Sequence, residues 1–173
     1  MQNFNLHTHS IYSDGKSTPR EHVEEAVRQG LTRLGFSEHS PLPFDNNFSV
    51  KSDRMPDYIK EIAALKEEYK DRIEILCGLE ADYITGVSES FALTKEKYQL
   101  DYLIGGVHLV GQSANPEELW FIDGPKCPPE SVSALLAVSE RERHQCFFHP
   151  FLCREHSHQH GPLQAAGAGP GIL

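Results

Sequence analysis

The segment FNLHTHSIYSDG, residues 4 to 15, sets His7 and His9 two positions apart at the end of an apolar run, with Asp14 and Gly15 close behind. Side chains on a strand repeat with period two, so the two imidazoles share a face and one ion can take both. Farther along stand Glu38 and His39, then Glu80 and Asp82, then His108. Imidazoles and carboxylates without thiolates suit divalent metals such as Zn, Mn or Fe, held through nitrogen and oxygen. Glu80 offers two oxygens, as a carboxylate bridging two ions must. A cluster of ions would bind the oxygens of a phosphate, acidify a water and stabilise charge developing on phosphorus during in-line attack. That chemistry is phosphoester hydrolysis without a covalent enzyme intermediate. Taken singly, each residue has an ordinary reading: an incidental strand histidine pair, a salt-bridge glutamate, a hydrogen-bonded histidine, or, for Asp14-Gly15, a turn. It is their joint placement that points to a metal site.

Regular elements must bring these residues together. NFNLHTH alternates Phe4 and Leu6 against polar neighbours and reads as a short strand. STPREHVEEAVRQG reads as a helix, with Thr18 as N-cap, Pro19 at the first position, Glu21 completing a capping box and Gly30 as the stop. The cycle repeats: LTRLGFSEHS as a strand, SDRMPDYIKEIAALKEEYKD as a helix burying Ile59, Ile62, Ala63 and Leu65, and RIEILCGLEADY as a strand. ESFALTKEKYQ follows as a helix and LDYLIGGVHLVG as a strand. This alternation predicts a parallel α/β arrangement, an open doubly wound sheet or a barrel. Every candidate ligand then falls at or just past the C-terminal end of a strand, where such folds assemble their sites.

Composition narrows the function classes. With 173 residues and a 39% hydrophobic fraction, the chain can bury one real core. A formal net charge of -9 argues against binding nucleic acid through its phosphates and favours small substrates or metals. No apolar run reaches membrane-spanning length and no secretory signal pattern opens the chain, so membrane association is not expected and the cytoplasm is the expected location. Cys77, Cys127, Cys146 and Cys153 form no CxxC pair, and Cys77 reads as a buried apolar filler.

In this order and spacing, HTHSIYSDG, GFSEHSPLPF, GLEADY and GGVH closely resemble the PHP superfamily. SEHSPLPF and YLIGGVHLV, followed by WFIDGP, are similar in particular to its histidinol-phosphatase branch, whose members cleave L-histidinol phosphate to histidinol and phosphate in histidine biosynthesis. The resemblance covers about residues 1–125 and implies a distorted (β/α)7 barrel with a metal cluster, usually of three ions, at the strand C-termini. It implies that His7, His9 and Glu80 hold a first metal and that Glu80 bridges to a second, which also takes His108. Asp14 and His39 would hold the third. Glu38, beside the cluster, would orient a water or a substrate group. Lys51, Arg54 and Lys95 are candidate phosphate contacts that read more naturally as solvated charges.

The chain departs from that pattern toward its end. The family expects a further Gly-His segment and a late Asp-x-His, and neither is present. Residues 126–173 differ in composition, holding three of the four cysteines and half of the histidines, and end in an aperiodic GPLQAAGAGPGIL that reads as an irregular tail. The expectation is a barrel left incomplete by a frame shift, splice variant or gene-model error. Less favoured readings give His149 or the His156, His158 and His160 tract a compensating metal role, or make Cys146, His149 and Cys153 a separate zinc module. The leading functional expectation is a metal-dependent histidinol-phosphate phosphatase. Another PHP phosphoesterase, or a metal-binding remnant without turnover, are the alternatives.

Overall fold

The first helix forms where its punctuation places it. In a computed structural model of the chain, which describes residues 3–84, 86–110 and 115–122, α1 runs Pro19–Arg28. The Glu21 backbone N–H donates to Thr18 Oγ1 at 3.3 Å, and the Thr18 N–H donates to Glu21 Oε2 at 2.7 Å. Two N-terminal donors are thus satisfied reciprocally. Gly30, at φ +73°, lets the chain leave the helix in the left-handed region.

Strands β1 (Phe4–Asn5), β2 (Arg33–His39), β3 (Glu74–Asp82) and β4 (Tyr102–Gly106) form a sheet in that order, every neighbouring pair parallel. Helices α1, α2 (Met55–Glu68, entered through a 3₁₀ turn at Ser52–Arg54) and α3 (Phe91–Tyr98) make the crossovers. This is the parallel β/α barrel architecture expected from the sequence, seen as a part of the barrel. The expectations for residues 126–173, including those at Cys146, His149, Cys153, His156, His158 and His160, lie outside the described residues.

The two faces of the sheet do different work. Leu34 and Phe36 of β2 and Ile75, Cys77 and Leu79 of β3 pack with Val23 of α1 and Tyr58, Ile62 and Leu65 of α2 in one apolar core. The core includes Cys77, the expected filler, whose thiol is pushed up to about 11 chiefly by burial. On the other face Gly35 and Gly78 make room for Tyr102, whose hydroxyl lies 2.8 Å from the Leu6 carbonyl and 2.9 Å from the Phe36 carbonyl. One side chain from β4 thereby spans to β2 and to the chain just past β1.

Three elements differ from the sequence reading. The first strand keeps ladder pairing only over Phe4–Asn5; beyond it the chain stays beside β2 because Thr8 N–H donates to Ser37 Oγ at 3.2 Å and Ser37 N–H donates to the Thr8 carbonyl at 2.9 Å. The expected strand over residues 100–111 breaks after Gly106, where His108 N–H donates to Asp82 Oδ1 at 2.9 Å. Leu109–Val110 (β5) then pairs antiparallel with Trp120–Phe121 (β6). In α2 the buried stripe is Met55, Tyr58, Ile62 and Leu65, with Ile59 half-buried and Ala63 exposed. Ala63 is one residue past Ile62, about 100° around the helix axis, and so turns out of the stripe.

A Cβ on Gly78 would sit 2.5 Å from the Tyr102 ring. Gly78→Ala is therefore expected to destabilise the fold by about 1–3 kcal/mol through overpacking, read by urea unfolding. Combining it with Tyr102→Leu should cost clearly less than the sum of the two single changes, because the clash partner is gone.

Candidate metal centre

Strand alternation puts Gly78, Glu80 and Asp82 on the Tyr102 side of β3, and Gly35, Ser37 and His39 on the same side of β2. The register pairs His39 with Glu80 directly. His7 and His9 reach the same place from the segment after β1, and His108 from the segment after β4. The strand C-termini therefore converge on one carboxylate. Glu80 is 3% exposed; its Oε2 lies 3.1 Å from His7 Nε2, 3.1 Å from His9 Nε2 and 3.6 Å from His39 Nδ1, and its Oε1 is 3.5 Å from His108 Nε2.

Asp14 is brought back to this group by the loop after His9. Its Oδ1 lies 2.8 Å from His9 Nδ1 and its Oδ2 3.8 Å from His39 Nε2, while its side chain remains 46% exposed. Gly15 makes the return possible: a Cβ there would sit 2.3 Å from the His9 carbonyl oxygen. All six residues expected to hold metal, His7, His9, Asp14, His39, Glu80 and His108, thus lie together.

Asp82 joins them, although the sequence reading noted it only as a strand-end carboxylate without a role. Its Oδ1 is 2.8 Å from His108 Nδ1 and also accepts the His108 backbone N–H. The signal was available in GLEADY, because residues two apart on a strand share a face.

Three groups in this cluster each gather donor atoms within 4.8 Å of one another: His7, His9 and Glu80; His9, Asp14 and His39; His39, Asp82 and His108. His9 and His39 each belong to two of them. Buried side-chain atoms without a hydrogen-bond partner include His39 Nδ1 and Asp82 Oδ2. Such atoms are costly unless something satisfies them. Nitrogen and oxygen donors in threes, with buried lone pairs unfilled, fit divalent ions of the zinc, manganese or iron type.

The protons are arranged accordingly. Burial works against charge on His9, but its hydrogen bonds to the carboxylates of Asp14 and Glu80 outweigh it and raise His9 to about 9. His39 goes the other way, to about 4, chiefly through burial, with the positive charges of His9 and His108 adding to the effect. Burial would raise Glu80, yet the surrounding imidazoles hold it well below the usual carboxylate range. Asp14 is likewise lowered by His9 and His39 against its burial, and His108 is raised by Asp82 and Glu80 against its own.

Glu38, expected to orient a water or a substrate group, has a different environment. It follows Leu34 and Phe36 on the helix-facing side of β2, opposite to His39, and is 0% exposed. Alternation from Phe36 was the signal for this orientation. The three candidate phosphate contacts are all exposed. Lys51 pairs with Asp45 at 2.6 Å, and the Arg54 guanidinium lies 5.0 Å over the Tyr12 ring. A cavity of about 230 Å³ opens between the segments after β2 and β3, lined in part by Ser40, Leu42, Val87 and Phe91. Of the clustered donors only Asp82 lines it.

A part-barrel of parallel strands with nitrogen and oxygen donors gathered at its strand C-termini defines a protein of the β/α class with a donor set that could hold metal. Its sequence matches the PHP domain over residues 5–142, and the chain belongs to the PHP domain family. It is 34% identical over 114 residues to the histidinol-phosphatase of Bacillus subtilis, a match covering 61% of this chain and 42% of the relative. Its structure resembles that of histidinol phosphate phosphatase from Lactococcus lactis, solved with zinc, L-histidinol and phosphate, with a TM-score of 0.50, 33% identity, and coverage of 64% of this chain and 42% of that one. A structure from Listeria monocytogenes shares the fold at a TM-score of 0.56 and 18% identity, over 75% of this chain and 51% of that one. The chain spans less than half the length of the histidinol-phosphatases it matches.

Because His9 lies near 9 without metal, it carries a proton at pH 7 that an ion must displace. Zinc affinity is therefore expected to rise by roughly tenfold per pH unit for each proton released, and to level off as pH passes about 9. Calorimetry at pH 6.5 to 8.5 in buffers of different ionisation enthalpy measures that proton release.

Proposed function

We propose that this protein is a metal-dependent phosphomonoester hydrolase that converts L-histidinol phosphate to L-histidinol and phosphate, a reaction of histidine biosynthesis carried out in the cytoplasm. The observation that carries the reading is the cluster of seven ligand residues that includes Glu80, in a chain similar to enzymes of that name. The substrate assignment is supported by the Lactococcus lactis structure, which contains L-histidinol and phosphate.

His7, His9 and Glu80 would hold one ion; Asp14 and His39, with His9 beside them, a second; His108 and Asp82, against His39 and Glu80, a third. Zinc, manganese or iron so bound would supply positive charge to phosphate oxygens and acidify a water for in-line attack. The protein's own part is to hold and orient. Asp82 receives His108 at both its ring and its backbone N–H, which fixes that imidazole's direction. Glu80, enclosed by four imidazoles, stays ionised and keeps those rings turned inward. No helix among the described residues is long and apolar enough to cross a membrane.

The second reading, a PHP domain that binds metal without turnover, draws on the same donor groups, which could hold ions whether or not a phosphate ester is cleaved there. Phosphate release from histidinol phosphate, compared with a panel of sugar, nucleoside and aryl phosphates after loading with zinc, manganese or iron, separates the two. The enzyme reading expects release that needs metal, favours histidinol phosphate, and falls by roughly 10²-fold or more in Glu80→Ala or His7→Ala. Metal retained through dialysis with no release from any ester supports the second. Release indifferent to both substitutions rejects the proposed site.

A further inference from the structure

Glu38 is the buried charge-bearing group for which the metal chemistry has no use, and its bonds are specific. Its two oxygens lie 3.0 Å each from the Ser10 backbone nitrogen, and Oε1 accepts the Ser10 hydroxyl at 2.6 Å. The other oxygen, Oε2, accepts the Ser13 hydroxyl. Ser10, like Glu38, is fully buried. A carboxyl group in this layer costs free energy unless its oxygens are well bonded, and an apolar side chain continuing the Leu34, Phe36 row would fill the space without that cost. The packing of the core alone therefore does not account for a glutamate here.

What accounts for it is the position of its partners. Ser10 follows His9, Ser13 precedes Asp14, and Glu38 precedes His39. Each member of the His9, Asp14 and His39 donor group is thus bonded in sequence to one member of the Glu38, Ser10 and Ser13 group directly behind it. The chain between the two serines is bent tightly, since the Ser13 and Gly15 N–H groups donate to the Ser10 carbonyl at 3.1 and 3.0 Å. Tyr12, between them, fastens the loop outward to α2 through its hydroxyl, which donates to Glu61 at 2.7 Å. Asp14 has half its side chain in solvent, so its aim depends on the loop that carries it.

We propose that Glu38 is a positioning residue: it latches the Ser10–Asp14 loop to β2 and so sets the spacing of His9, Asp14 and His39 for one metal ion. The inference rests on the reading of that group as metal ligands. Removing the latch should weaken most the class of ion that takes Asp14, because Asp14 belongs to that group alone, whereas the groups that share His9 or His39 keep Glu80, His7, His108 and Asp82, which are held by other elements. Selective weakening is also what separates a latch from a residue that merely stabilises the fold.

The test is titration of the full metal-free chain with Co²⁺, followed by its visible absorption and by calorimetry, with unfolding curves in parallel. Glu38→Met keeps the volume and removes every acceptor; Ser13→Ala removes one bond; Glu38→Gln keeps one oxygen for Ser10. One class of site is expected to weaken by roughly 10–100-fold in Glu38→Met, as when groups that orient ligands are removed. Ser13→Ala and Glu38→Gln should weaken the same class by less, and in every variant the classes that share only His9 or only His39 should weaken clearly less than the class that takes Asp14, with the Co²⁺ spectrum altered most for that class. If Glu38→Met does not fold, Ser13→Ala decides: a selective loss supports the latch, and unchanged binding overturns it. Equal weakening of all classes, or none, in a wild type that does bind Co²⁺ overturns the latch and leaves the proposed function standing. A wild type that binds no Co²⁺ overturns both.

Discussion

A single buried carboxylate at the centre of four imidazoles is the constraint that organises this molecule. Glu80 has almost no access to water, and an isolated charge in that position would be prohibitively costly. His7 and His9 after β1, His39 at the end of β2 and His108 after β4 compensate it, so three separate parts of the chain must reach one point. Parallel pairing does this, because it places every strand C-terminus on the same side of the sheet. Divalent ions are the natural occupants of a cluster whose buried nitrogen and oxygen atoms still lack partners.

Two devices keep the strands where that convergence needs them. In the interior, Tyr102 lies across the bare backbones of Gly35 and Gly78 and reaches carbonyls of Leu6 and Phe36. On the helix side, Tyr58 sends its hydroxyl between strands to the Gly78 carbonyl at 2.7 Å. The two tyrosines approach the sheet from opposite faces and give strand carbonyls an additional donor. Placing a hydroxyl at the end of a large apolar ring lets each side chain fill space and still bond.

The layers also divide the acidic residues by task. Glu38 and Glu80 are both deeply buried on neighbouring strands, yet one faces the helices and the other the barrel interior. Glu80 meets imidazoles; Glu38 meets two serines and a backbone N–H. Period-two alternation is sufficient to separate them, and it lets a metal-facing surface be supported from behind by hydrogen bonds that never touch the metal site.

Much of this was legible in the chain itself. The capping box at Thr18 and Glu21, the alternation of strand and helix, and the recurrence of histidine and carboxylate at strand ends are local patterns. Backbone sterics, hydrogen-bond needs and side-chain period dictate them without reference to distant residues. They were enough to indicate a parallel β/α fold and the nitrogen and oxygen donors that it gathers. Only the tertiary structure decided that Asp82 holds His108, that Asp14 returns to His9 beside His39, that Ala63 turns outward and that Glu38 faces two serines. Those outcomes depend on strand register and on where a loop is tied. A one-residue change of register turns every side chain of a strand to the opposite face, and no local pattern shows which partner will be across the sheet. The residue types, spacing and chemistry belong to the sequence by itself; which of them meet, and which group stands behind another to hold it, belongs to the fold.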